Sequence, residues 1–187
     1  MSGKFLKQYI KDYSDLILPE SDLINTLIQV KDALVTASEN GKKVIIAGNG
    51  GSAAMASHIS VDLTKNAGIR SINFNEPDLI TCFANDYGYE HWVEKAVEFY
   101  GDKGDVFIGI SSSGSSENIL NGCRAAQKNN FSKVITFSGM DKQNPLRQLG
   151  DINFWVNSIA YNHIENIHQF WLLAIVDLII GKAEYIA

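Results

Sequence analysis

The sequence predicts an α/β three-layer sandwich, a five-stranded parallel sheet of order 2-1-3-4-5 with two extra helices in front of it. Three observations lead there. From residue 43 onward, short β-branched runs alternate with helix-length ones, which requires right-handed crossovers and helices on both faces of the sheet. Two Gly/Ser-rich segments each stand where a strand hands over to a helix. The 187-residue length fits one compact domain able to bury roughly 70% of its unfolded surface. One domain over 1–187 is therefore expected, made of a helical pair (1–41) and an α/β core (42–182).

Taken in order, Phe5, Tyr9, Tyr13 and Leu16 form one helical stripe, and Leu23, Leu27, Val30 and Leu34 a second. Ser21 is a candidate cap for the second helix and Gly41 a candidate stop. The strands are Val44–Ile46, Ser71–Phe74, Val106–Ile110, Val134–Phe137 and Ile152–Val156. Helices are expected at about 52–66, 89–99, 116–129, 144–149 and 162–181. Asp141–Pro145 reads as a polar turn, and Trp155, Phe170 and Trp171 as packing residues of the core or of a subunit contact.

Composition narrows the function classes. Sixteen Lys and Arg against 21 Asp and Glu give a net charge of −5, and no basic run occurs, which argues against nucleic acid, heparin or an anionic membrane as partner. The first 20 residues carry charges throughout, so no leader is expected. The apolar stretch Phe170–Ile180 is too short to span a bilayer and contains Asp177. Cys82 and Cys123 read as buried, reduced thiols of a cytoplasmic protein. At 45% hydrophobic residues, the chain has apolar surface to spare for another subunit.

The chemistry is expected at two loops, Gly48-Asn49-Gly50-Gly51-Ser52 after strand one and Ser111-Ser112-Ser113-Gly114-Ser115-Ser116 after strand three. In a 2-1-3-4-5 sheet the connections from these neighbouring strands leave in opposite directions, and a crevice opens between their carboxyl ends. Glycines let backbone approach a ligand, helix-start N–H groups favour an anion, and serine hydroxyls rotate to meet phosphate oxygens. A phosphate monoester fits. Gly48, Gly50 and Ala53, with Glu76, also satisfy a loose dinucleotide pattern, so a nucleotide-cofactor domain is an alternative.

These blocks, with Ala84-Asn85-Asp86-Tyr87-Gly88-Tyr89 and Gly104-Asp105-Val106, resemble the SIS (sugar isomerase) domain over about residues 20–181, and within it the phosphoheptose isomerases. The resemblance implies a flavodoxin-like SIS fold and a cytoplasmic homotetramer with its site near a subunit interface. It also implies interconversion of sedoheptulose 7-phosphate and D-glycero-D-manno-heptose 7-phosphate for surface polysaccharide such as lipopolysaccharide or capsule. It carries phosphate binding to Ser111, Ser113 and Ser116, and sugar binding to Asn49, Gly50, Gly51, Ser52 and Asp86.

An aldose–ketose isomerisation needs a base near two carbons and an acid or metal near their oxygens. The family pattern offers a His and a Glu four apart after the first loop and a Gln and a His eight apart on the last helix, which bind zinc in several members. Here His58 and Asp62 occupy the first pair, about 40° apart on one helix face. On the last helix Glu165 stands at the Gln position and Leu173 at the His position. Two readings follow. In one, catalysis is reassigned: Glu165 and Asp62 are the acid–base pair, His58 polarises, His168 positions the sugar or supports Glu165, and His58, Asp62 and Glu165 form a candidate ligand set for a zinc ion that the pattern admits without requiring. In the other, catalysis is lost and the domain binds a phosphosugar or a protein, as a replication-initiation regulator of this family does. His163 and His168, about 140° apart, cannot share a metal on one helix, and His91 reads as a surface or interface residue.

Overall fold

The computed structural model describes residues 2–18 and 22–183. The order is α1 (Ser2–Ile17), α2 (Leu23–Glu39), β1 (Val44–Ala47), α3 (Gly51–Lys65), β2 (Ser71–Ile72), α4 (Pro77–Tyr87), a 3-10 turn (Tyr89–His91), α5 (Trp92–Tyr100), β3 (Val106–Ser111), α6 (Glu117–Lys128), β4 (Lys133–Gly139), α7 (Pro145–Leu149), β5 (Ile152–Val156) and α8 (Tyr161–Ile180). The five strands pair in the order β2-β1-β3-β4-β5, all parallel.

Strand side chains alternate between two apolar layers. Val44, Ile46, Val106, Ile108, Ile110, Ile135 and Phe137 face α2, α3 and α8, whereas Ile45, Ala47, Phe107 and Val134 face α5 and α6. Each fully buried Ile or Phe contributes about 1.5–3 kcal/mol, which makes the central strands β1, β3 and β4 the stable platform under the loops. Beneath the sheet, the buried Asp105 carboxylate accepts from the backbone N–H groups of Lys43 (3.0 Å) and Asp102 (2.8 Å) and pairs with Lys43 (2.6 Å), tying β1 to β3.

The second helix ends as its sequence implies. Gly41 adopts φ 70°, its N–H donates to Ser38 O and that of Lys42 to Ala37 O, the paired bonds of a Schellman stop. Ser21, the expected cap, lies outside the described residues, and Asp22 holds the cap position. Helix α1 packs on α8 chiefly through polar and aromatic contacts: Trp171 Nε1 donates to Ile17 O (2.9 Å), Tyr13 OH to Asn162 O (2.9 Å), and the Tyr9 and Tyr13 rings lie 4.7 and 4.6 Å from His163. Phe5, Leu6 and Ile10 stay exposed.

Two expectations are corrected and one helix is added. The added helix is residues 77–87: Pro77 sits at its first position, where the missing N–H costs nothing, and Leu79, Ile80 and Phe83 pack on the core. Strand two keeps only Ser71 and Ile72, because beyond them the Asn73 side chain accepts the Asn75 N–H (3.1 Å) and turns the chain. Cys82 is exposed, since it lies on the outer side of α4; Cys123 is buried, and loss of solvation pushes its thiol up to about 12. Of the two aromatic residues expected in the core or a subunit contact on α8, Trp171 is buried in the core and Phe170 is half exposed.

Candidate functional site

Both loops sit at the carboxyl ends of β1 and β3. In the first, Gly48 approaches the following helix so closely that a Cβ would come within 2.6 Å of the Ser52 carbonyl carbon, and Gly50 takes φ 54° to start α3. Asn49 and Asn118 exchange reciprocal amide bonds of 2.9 and 2.8 Å, and Tyr89 OH donates to Asn49 Oδ1 at 3.2 Å. This latch holds the first loop against the start of α6 and brings the segment just after Asp86 to it. Asn118 and Tyr89 were not singled out from sequence, because an amide in a helix's first turn looks like an ordinary solvated residue until its partner is known.

In the second loop the hydroxyls converge. Ser111 Oγ lies 2.9 Å from Ser116 Oγ and 3.5 Å from Ser113 Oγ, and Ser115 Oγ donates to Ser113 Oγ at 3.0 Å. Ser116 stands at the cap position of α6 without capping it, so the Glu117 and Asn118 N–H groups stay open to an incoming acceptor, whereas in the first turn of α3 the Ser52 and Ala53 N–H groups already donate to Asn49 O and Gly50 O and only that of Gly51 stays open. Gly114 takes φ 67°, and a Cβ there would collide with the Asn144 side chain. That side chain is itself buried and fixed, accepting from Arg147 N (3.1 Å) and donating to Ser138 Oγ (3.1 Å), Gly139 O (3.3 Å) and Asp141 O (2.7 Å).

Glu165 comes down from α8 onto the first loop. Its carboxylate lies directly over Gly51, in the space a Cβ at that position would need. The positive end of α3 favours the carboxylate there, which leaves the start of α6 and the serine cluster as the open anion site.

Two to three turns further along α3 is a second polar group. His58 Nε2 is 3.3 Å from Asp62 Oδ2, and His58 Nδ1 is 3.3 Å from the Gln169 amide nitrogen, one turn after Glu165 on α8. Asp62 Oδ1 also accepts from Asn66 Nδ2 at 3.1 Å. Gln169 was missed from sequence, since nothing in its spacing distinguishes it from a helix-surface residue.

The structure separates residues that the sequence grouped. Gly51, with Glu165 on it, and Asp62 are eleven residues apart on one helix, about 16 Å at 1.5 Å per residue, so Glu165 and Asp62 of one subunit cannot flank the same two carbons. For the same reason His58, Asp62 and Glu165 of one subunit do not form a ligand set: among the described residues no three His, Cys, Asp or Glu side chains of the chain gather closely enough to hold a metal ion. Zinc does not fit the donors present, because Leu173, at the family His position, packs on the core.

His168 is also corrected. It is fully buried, donates from Nε2 to Ser138 O at 3.0 Å, and stands edge-on to Phe137, so it reaches neither a sugar nor Glu165's place over Gly51. A turn of about 60° from Glu165 carries it from the α3 side of α8 into the core. Burial lowers its pKa from 6.5 to about 4, partly offset by the Ser138 bond. The folded state thus binds this proton less well than the unfolded chain. Stability is expected to be complete above pH 6.5 and to fall between 6.5 and 4, by up to about 3 kcal/mol from this group. Urea denaturation across that window checks it: His168→Leu should flatten the acid limb by up to about 1.4 kcal/mol per pH unit, and an unchanged slope would refute the assignment.

Asp86 is exposed at the end of α4, where it accepts from Asn85 Nδ2 (2.9 Å). No described helix is long and apolar enough to cross a membrane.

Comparison with known proteins agrees with this geometry. Residues 8–139 match the SIS domain family. The chain is 34% identical over 155 residues to the phosphoheptose isomerase of Fusobacterium nucleatum, covering 80% of this chain and 78% of that one. To the phosphoheptose isomerase of Aliarcobacter butzleri it is 30% identical over 191 residues, covering 99% and 100%. The solved phosphoheptose isomerase of Neisseria gonorrhoeae superposes with a TM-score of 0.85 at 26% identity, over 95% of this chain and 97% of that one. The chain belongs to the SIS domain family and, within it, to the phosphoheptose isomerases.

Proposed function

We propose that this protein is a phosphosugar aldose–ketose isomerase that interconverts sedoheptulose 7-phosphate and D-glycero-D-manno-heptose 7-phosphate in the cytoplasm, for surface polysaccharide. The observation that carries this reading is the juxtaposition, at the carboxyl ends of β1 and β3, of a converging serine cluster beside an uncapped helix start and a carboxylate held over Gly51. Phosphate takes the hydroxyls of Ser111, Ser113 and Ser116 and the amides of α6, while Gly50, Gly51, Ser52, Asn49 and Asp86 border the sugar. The single domain is taken to span 1–187.

Glu165 removes a proton from C1 of the ketose. The C1–H electron pair becomes the C1=C2 bond of an enediolate with its charge on O2, Asp62 accepts the O1 proton and returns it to O2, and Glu165 delivers its proton to C2 as C1=O forms. His58 donates to Asp62 and holds it in place for that exchange. Because Glu165 and Asp62 of one subunit lie too far apart, a second copy supplies the His58–Asp62 pair in a homotetramer. Exposed Val61 and Phe170 flanking this pair, and Phe5, Leu6 and Ile10 on α1, support such contacts.

Incubation with sedoheptulose 7-phosphate in D2O, followed by NMR, tests the activity. Deuterium is expected at C1 and C2, and saturable phosphosugar binding without exchange would instead favour a noncatalytic binding protein, the reading that Leu173 supports. Mixing Glu165→Gln with Asp62→Asn subunits tests the shared site: activity should return in mixed oligomers toward one quarter of the wild-type level (~25%, from random pairing at each interface), and no recovery would place both groups in one subunit.

A further inference from the structure

The contacts around His58 carry a conclusion about how this enzyme's acid–base network is built, which rests on the isomerase reading for its role but not for its geometry. A neutral imidazole carries one N–H. Asp62 is a carboxylate that accepts only, is fixed by Asn66 on its other oxygen, and faces Nε2. The ring proton therefore belongs on Nε2, and the lone pair belongs on Nδ1. The group placed at Nδ1 is the amide nitrogen of Gln169, a donor.

An Nε2–H bonded to a carboxylate with the other nitrogen free is the arrangement by which a histidine is oriented toward a metal ion. Here the Gln169 amide occupies the place a cation would take, and Leu173 contributes a methyl-bearing side chain packed on the core where the family supplies an imidazole. The two departures are consistent: a helix that lacks the last imidazole ligand offers a hydrogen-bond donor to the first one.

We propose that Gln169 is a positioning residue that holds His58 in the Nε2–H form, aims it at Asp62, and closes its Nδ1 to metal, so that the network works without zinc. Gln169 touches the reacting atoms only through His58 and Asp62. Its loss should therefore act on kcat more than on KM, since the phosphate site two turns away is untouched.

The test uses the full-length protein, freed of metal by chelation and labelled with 15N, with the His58 signal assigned by its disappearance in His58→Asn. Long-range 1H–15N spectra at neutral pH should show the Nε2–H tautomer in the wild type and a mixture of both tautomers in Gln169→Leu. Zinc ion alone, titrated calorimetrically, should bind weakly to the wild type. It should bind about 10-fold or more tightly to the double variant Gln169→Leu/Leu173→His, in which Nδ1 is released and the imidazole is restored. Gln169→Leu should lower kcat about 10-fold with KM nearly unchanged. Stoichiometric zinc binding by the wild type at His58, or an unaltered tautomer in Gln169→Leu, would overturn the proposal. Absence of isomerase activity in a protein that shows the stated tautomers would overturn the function and leave the positioning role standing.

Discussion

Glu165→Gln is expected to lower turnover by about 100- to 10,000-fold, the usual contribution of a positioned base, while the fold and the affinity for the sugar phosphate persist. The amide has the same shape and lies over the same Gly51, so neither the α3–α8 packing nor the serine cluster is disturbed. What it loses is the capacity to accept a carbon-bound proton. The substitution restores the residue that the family pattern has at this position, yet it should not restore function, because Leu173 supplies no imidazole to take over the proton. Steady-state kinetics together with the D2O exchange experiment decide the matter: exchange at C1 should vanish in step with turnover. Retained turnover would remove Glu165 from the proton path and require another base near the first loop.

Gly114→Ala is expected to cost stability as well as substrate binding. A φ of 67° at a residue with a Cβ costs about 1–2 kcal/mol. The new methyl also meets the Asn144 side chain, which is buried and hydrogen-bonded to Arg147 N, Asp141 O and Ser138 Oγ, so relief of the clash breaks one or more bonds worth about 0.5–1.5 kcal/mol each. A total loss of about 2–4 kcal/mol should appear as a lower urea midpoint. The hydroxyls of Ser113 and Ser116 flank this glycine, so their convergence should loosen and KM should rise more than kcat falls. Wild-type stability and KM in Gly114→Ala would show that the loop is not held by Asn144. Asn144→Ala should shift stability and KM in the same directions, since it removes the clamp from the other side.

Much of the architecture is legible in the sequence. Strands one, three, four and five carry β-branched side chains that both sheet faces need, and Gly41 stops α2 because only a residue tolerant of positive φ closes that helix so tightly. Helix α4 was not legible: its eleven residues are too few for a convincing period, and its apolar side is only half buried against α5. The truncated β2 was hidden for a related reason, since Asn73 diverts the chain by a side-chain bond that propensity does not record.

For the site, the sequence by itself determined the residue types and the two loops, because glycine at tight backbone turns and serine at helix starts are requirements of local geometry. It also determined that Leu173 can neither bind metal nor move a proton, a matter of chemistry alone. Only the tertiary structure decided which of these residues meet. The rise of α3 separates Asp62 from Glu165, the rotation of α8 buries His168 among aromatic rings, and the packing of α8 on α3 brings Gln169 to His58. Spacing along one helix specifies a face and a height, but whether two groups share a reaction depends on where the neighbouring helix crosses, and that is set by the whole core.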